Sequence, residues 1–168
     1  MTSFRILAIP TTVAESVRAT GKAPRYNHPV HIEVAKGYGP CRHCLHTFHV
    51  GEEKRTLFTY DPFDGIESLP LPGPVFIHSD GCERYPEDGG YPEDLKAHAA
   101  VLNVYAKGPK LLNQVFAAPG EAEQRIVNFL IDSDVDYIEV RDRNAGCFDF
   151  RVERSHMGEI DEQDVEVA

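Results

Sequence analysis

A chain of 168 residues, 42% apolar and 26% charged, has enough material for one buried core and too much apolar content for a disordered chain. Its formal net charge of −10 is repelled by phosphate backbones, which weighs against a dedicated nucleic-acid binder. Its longest apolar runs, such as Ile6-Leu7-Ala8-Ile9 and Phe129-Leu130-Ile131, are too short to cross a bilayer or form a signal-peptide core, so the cytoplasm is the expected compartment.

In chain order, Phe4 to Ile9 reads as a strand ended by Pro10, and Thr12 as the N-cap of a helix with Val13 and Val17 one turn apart. Residues 21–40 are rich in Gly and Pro and read as loop, with Val30 to Val34 a candidate strand. Lys54 to Tyr60 and Val75 to His78 read as strands around a Pro/Gly-rich loop, which needs a local fastening because it buries little apolar area. Ser79 is placed to cap a short helix that Pro86 would stop.

Further along, Ala100 to Ala106 and Leu111 to Ala117 read as strands joined at Gly108-Pro109. Pro119-Gly120-Glu121 opens a helix whose apolar stripe is Ala122, Ile126, Phe129 and Leu130. Asp136 to Val140 and Cys147 to Val152 form a predicted hairpin. Strict alternation there puts Phe148, Phe150 and Val152 on the core face and Cys147, Asp149 and Arg151 on the other. Strands and helices mixed without regular alternation predict an α+β fold with a mixed or antiparallel sheet. The expected organisation is one domain over residues 1–154 and an acidic tail over 155–168.

Charge is unevenly distributed. Residues 1–60 carry eight Lys/Arg against four Asp/Glu, so nucleic-acid binding through a basic first third stays a minor alternative.

Three of the four cysteines fall in a pattern. Cys41-Arg42-His43-Cys44 is a C-x2-C turn that lets two thiolates reach one ion, and His78-Ser79-Asp80-Gly81-Cys82 adds an H-x3-C pair. Three cysteines and a histidine fill the tetrahedral shell of a structural Zn2+ without a water. Cys41, Cys44, His78 and Cys82 are therefore the expected ligands. His43, His46 and His49 crowd the first pair, and His43 or His46 offers an alternative fourth ligand. The plainer reading, which we prefer, makes these histidines polar residues of a loop.

Knuckle, hairpin and a helix start carrying the second pair is the order of a treble-clef zinc finger, which residues 41–85 resemble. The same C-x2-C also resembles the motif of thiol oxidoreductases, but the flanking Gly39-Pro40 and Val50-Gly51 do not supply the strand and helix that such chemistry uses. Cys147 is a weaker candidate, a thiol whose face carries Arg141, Arg143 and Arg151 as possible anion ligands.

Several segments carry a resemblance over nearly the whole chain: Gly39-Pro40-Cys41-Arg42-His43-Cys44-Leu45, Tyr60-Asp61-Pro62-Phe63, Gly73-Pro74-Val75-Phe76-Ile77-His78, Cys82-Glu83-Arg84-Tyr85 and Gly146-Cys147-Phe148. On these the chain resembles an uncharacterised bacterial family, domain-of-unknown-function family twelve hundred and three. The resemblance implies a bacterial, single-domain protein and brings no activity with it. From the residues, the expected role is binding or interaction around a structural zinc, with a thiol-dependent enzyme using Cys41/Cys44 or Cys147 as the alternative.

Overall fold

The computed structural model describes residues 4–63, 65 and 72–155. Most of the predicted acidic tail lies outside the described residues.

Two antiparallel sheets organise the chain. The larger has five strands in the order β1 (Phe4–Leu7), β8 (Phe148–Arg154), β7 (Tyr137–Asp142), β5 (Ala100–Ala106), β6 (Lys110–Ala117). The smaller has three, β2 (His31–Val34), β3 (Lys54–Tyr60) and β4 (Gly73–His78), in chain order. β-branched and aromatic residues dominate these segments, as a pleated and half-buried surface favours. The fold is α+β, in one domain, and its ladders are antiparallel throughout.

One face of the large sheet presents Phe4, Ile6, Leu102, Val104, Ile138, Val140, Phe150 and Val152 to a common core. Helix α3 (Ala122–Leu130) covers that face through Ala122, Ile126 and Leu130, spaced four residues apart on one stripe. The one-turn α2 (Glu93–Lys96) adds Leu95. A second core lies between the small sheet and α1 (Thr11–Thr20): Ala14, Val17, Phe58, Val75 and Ile77 meet there with Cys41 and Cys44.

Three expectations are corrected. Pro10, not Thr12, holds the N-cap of α1, and no side chain caps it. Residues 79–86 form no helix. Their local bonds go elsewhere: Ser79 Oγ meets Thr56 Oγ1 at 2.7 Å, Tyr85 N–H donates to His43 O, and Gly81 sits at φ 99°. The helical part of the treble-clef expectation is therefore absent, although the knuckle and the β3–β4 hairpin are present.

Strand parity in β8 also breaks. Arg141 pairs with Phe148 and Val140 with Phe150, so Asp149 is an extra residue in a bulge. Phe150 faces the large core, whereas Phe148 is carried into the second one beside Ile9 and Cys41. The other face of β7 is covered as well: Glu139 is fully buried, and Phe63, Tyr105 and Tyr137 cluster on that side.

Candidate metal centre

The C-x2-C segment is a tight turn. Leu45 N–H donates to Cys41 O at 2.8 Å, Cys41 N–H donates to His46 O at 2.9 Å, and Leu45 takes the left-handed φ of 58° that reverses the chain. Arg42 N–H donates to Phe76 O, which lays the turn along the open edge of β4. Gly39, just before the turn, packs so close to Phe76 that a Cβ there would lie 3.2 Å from the ring. His78 ends β4, and the chain turns at Gly81 to return Cys82.

The four predicted residues converge. One ligand atom from each of Cys41, Cys44, His78 and Cys82 lies within 4.8 Å of the others. Cys41 Sγ and Cys82 Sγ are 3.7 Å apart, and Cys44 Sγ is 3.3 Å from His78 Nδ1. A tetrahedron with zinc–sulfur bonds of about 2.3 Å has sulfur–sulfur edges of about 3.8 Å, so the sulfur spacing fits an ion at the centre. It is far beyond the disulfide bond length of about 2.05 Å. Cys41 also accepts the His78 backbone N–H at 3.3 Å.

The four groups of the cluster shift one another's protonation strongly. Burial alone would lower the His78 pKa, but hydrogen bonds and charge from Cys41 and Cys82 outweigh it and raise it to about 10. Cys44 is pushed up by its hydrogen bonds to Cys41 and Cys82 and by burial, as expected where thiols crowd together. A bound divalent ion would relieve this crowding and displace the protons held by the thiols and by the His78 ring.

Around the four lie Arg18 and Glu53, which their sequence spacing did not connect to them, and His43, which it offered as an alternative ligand. Arg18, in the last turn of α1, donates from Nε to His78 O at 2.9 Å and from Nη2 to Cys82 Sγ at 3.4 Å. His43 is buried, with Nδ1 3.1 Å from Cys82 Sγ and Nε2 3.1 Å from Thr11 Oγ1. Glu53 Oε1 lies 3.6 Å from His78 Nε2. His43 thus sits beside the cluster as a neighbour of one sulfur. His46 pairs instead with Asp94 at 3.2 Å and His49 with Glu53 at 3.9 Å, both near the surface. Cys44, His78 and Cys82 line the floor of a cleft of about 520 Å³ walled by His46, His49, Glu53 and Asp94.

The knuckle is tied to the large sheet by one buried side chain. Arg42 donates to Phe148 O at 2.8 Å and to Pro40 O at 2.7 Å, and pairs with Asp149 Oδ1 at 2.8 Å, off the line of a hydrogen bond. Burial, the largest influence, pushes the Asp149 carboxyl up to about 6 against the pull of Arg42. A carboxyl raised on folding contributes stability that is whole below its unfolded pKa of about 3.9 and lost as pH rises through its folded value. The stability of the wild type relative to Asp149→Asn is therefore expected to fall by roughly 3 kcal/mol between about pH 4 and pH 7. Paired denaturant melts at each pH check this, since acid loss of metal is common to both proteins.

Of the second set of candidates, two share a cavity and two are engaged elsewhere. Cys147 and Arg141 both line a cavity of about 280 Å³ beside Tyr60 and Phe148. Arg141 is engaged by Glu139 at 2.8 Å and Gly146 O at 2.9 Å. Arg143 lies over the Phe116 ring, and Arg151 reaches Pro62 O and lies over Tyr137. Burial pushes the Cys147 thiol up. Cys147 is expected to react with iodoacetamide more slowly than a free cysteine at neutral pH; a faster rate would show an activated thiol. At least four of the eight cations of the first third are engaged within the fold: Arg5 with Glu153 at 2.6 Å, Arg55 with Glu33 at 2.7 Å, and Arg42 and Arg18 as above.

The C-x2-C pair leads into no helix, the placement that dithiol oxidoreductases use, although burial of the Cys41 thiol is outweighed by hydrogen bonds with Cys44, Cys82 and His78, which hold its pKa down. No helix among the described residues is long and apolar enough to cross a membrane. A family model described as protein of unknown function (DUF1203) matches residues 38–154, which include all four clustered residues. No curated protein and no solved structure matches the chain.

Proposed function

We propose, on the premise that the chain belongs to the DUF1203 family and that the family's description assigns no activity, a cytoplasmic binding or interaction protein built around a structural Zn2+. Cys41, Cys44, His78 and Cys82 hold the ion. The observation that carries this reading is the 3.7 Å spacing of Cys41 and Cys82 within a group of four donors that all lie within 4.8 Å. Three thiolates and an imidazole suit zinc by softness and geometry, and as a complete shell they leave no position for a reacting water. All four cysteines are free, as in a reducing compartment.

The ion's work in this reading is mechanical. It joins the knuckle, the end of β4 and the chain after it, where the surrounding loops have little core of their own. The face so fixed, with its cleft of imidazole and carboxylate groups, is the surface offered to a partner.

Chelation tests the structural role. A strong chelator is expected to abolish near-ultraviolet circular dichroism and expose residues 36–53 to proteolysis, and added zinc to reverse both. A protein that gives up its zinc and keeps both properties would not be using the ion structurally.

A further inference from the structure

Two N–H donors from outside the ligand set converge on a single sulfur. Arg18 Nη2 is 3.4 Å and His43 Nδ1 is 3.1 Å from Cys82 Sγ. Arg18 is held in place by its bond to His78 O, and His43 by Thr11 on its far nitrogen. Thr11 and Arg18 lie on α1 two turns apart, so one helix face supports both donors. A metal-bound thiolate can only accept. Nδ1 of His43 therefore carries the proton, and the Thr11 hydroxyl donates to Nε2.

The residue they meet is the most exposed of the three clustered cysteines. Cys41 and Cys44 are 0% and 5% exposed, whereas Cys82 is half-buried at the floor of the cleft. Three thiolates and a neutral imidazole around a dication leave one net negative charge, and the adjacent Arg18 guanidinium balances it. Hydrogen bonds to a thiolate lower the energy of its lone pairs and so reduce its nucleophilicity, while fixing its direction.

We propose that Arg18 and His43 are positioning residues that hold Cys82 as a quiet metal ligand, so that α1 sets how readily a soft electrophile strips the ion from the centre. This rests on the zinc reading above. It gives the N-terminal helix a role in the centre although that helix lies outside the matched residues 38–154.

Iodoacetamide is the probe. A Cys82 lone pair attacks its methylene carbon, a carbon–sulfur bond forms, the carbon–iodine bond breaks and iodide leaves with its electron pair. The neutral thioether binds zinc weakly, and the ion departs. Zinc release, read with a colorimetric chelator, does not report on Cys147.

The full-length wild type is first assayed for zinc, then compared with Arg18→Met, Arg18→Lys, Thr11→Val and His43→Phe. Arg18→Met is expected to release zinc about tenfold faster and to weaken metal affinity on the order of 10–100-fold. In the cobalt-substituted protein its sulfur-to-metal charge-transfer band is expected to move to lower energy, because the sulfur lone pairs rise. Arg18→Lys, which keeps a cationic donor, is expected to restore most of the wild-type rate and band position. Thr11→Val is expected to shift both in the direction of Arg18→Met, and it decides the His43 arm if His43→Phe fails to fold. Wild-type release rates and an unmoved band in zinc-loaded Arg18→Met and Thr11→Val would overturn the proposal while leaving the zinc site standing. A wild type that holds no zinc would overturn both.

Discussion

Cys41→Ser is expected to leave the second core unfolded in the purified protein, with near-ultraviolet dichroism lost and amide protection removed from β3, β4 and α1. Cys41 is fully buried among Ala14, Val17, Phe58 and Ile77, and its sulfur accepts the His78 backbone N–H. Structural zinc contributes an apparent binding free energy of about 10–16 kcal/mol at neutral pH in zinc-finger peptides. Whole domains are stable by only about 5–15 kcal/mol. Losing a thiolate ligand, and placing a hydroxyl where a soft sulfur sat, therefore removes a contribution as large as the total. Cys147→Ser is the control: that thiol is outside the cluster, and its replacement is expected to change stability by no more than about 1 kcal/mol. Hydrogen exchange and urea titration of the two variants separate the roles. Equal stability of the two proteins would mean that the cluster holds nothing of structural weight.

Arg42→Met is the second large effect, expected to lower stability by about 3–5 kcal/mol with the ligands untouched. The guanidinium lies out of water between the knuckle and the bulge of β8, and its loss strands two carbonyls and the Asp149 carboxylate. Most of that loss comes from the charge left buried without a partner. A second change, Asp149→Leu, made on the Arg42→Met background is therefore expected to recover a substantial part of it, since an apolar pair of similar volume needs no counter-charge. Urea midpoints at fixed zinc concentration measure both steps. A single substitution within about 1 kcal/mol of wild type, or a double variant weaker than the single one, would contradict the assignment.

The clustering of Cys41, Cys44, His78 and Cys82 was legible because its chemistry is local in sequence. C-x2-C and H-x3-C each place two donors on one short turn, and zinc's demand for four ligands joins the pairs across the chain. Strands with β-branched and aromatic runs, such as Lys54–Tyr60 and Ala100–Ala106, were legible for the same reason. What escaped was set by contacts distant in sequence. The helix predicted after Ser79 fails because the Ser79 hydroxyl has a partner on β3 and the Tyr85 N–H has one on the knuckle. Phe148 leaves the face that parity gives it because one residue bulges at Asp149, and the attraction of Asp149 to Arg42 spans the two cores. Arg18 gave no signal beyond being a cation in the last turn of a helix, a position that the helix dipole explains by itself.

Histidine shows where residue type alone stops being informative. His43 and His78 are both near sulfur, and the sequence offered either as a fourth ligand. The β4 ladder aims His78 at Cys44, while the turn aims His43 at Cys82 with its other nitrogen committed to Thr11. The difference lies in backbone direction, which the C-x2-C spacing does not encode.

The most direct test is X-ray absorption at the zinc edge of protein purified without added metal, with the metal content measured on the same sample. About one zinc per chain is expected, with three sulfurs at about 2.3 Å and one nitrogen at about 2.0–2.1 Å. A sample without stoichiometric metal that still shows the native fold, or a zinc bound by oxygen and nitrogen alone, would contradict the account.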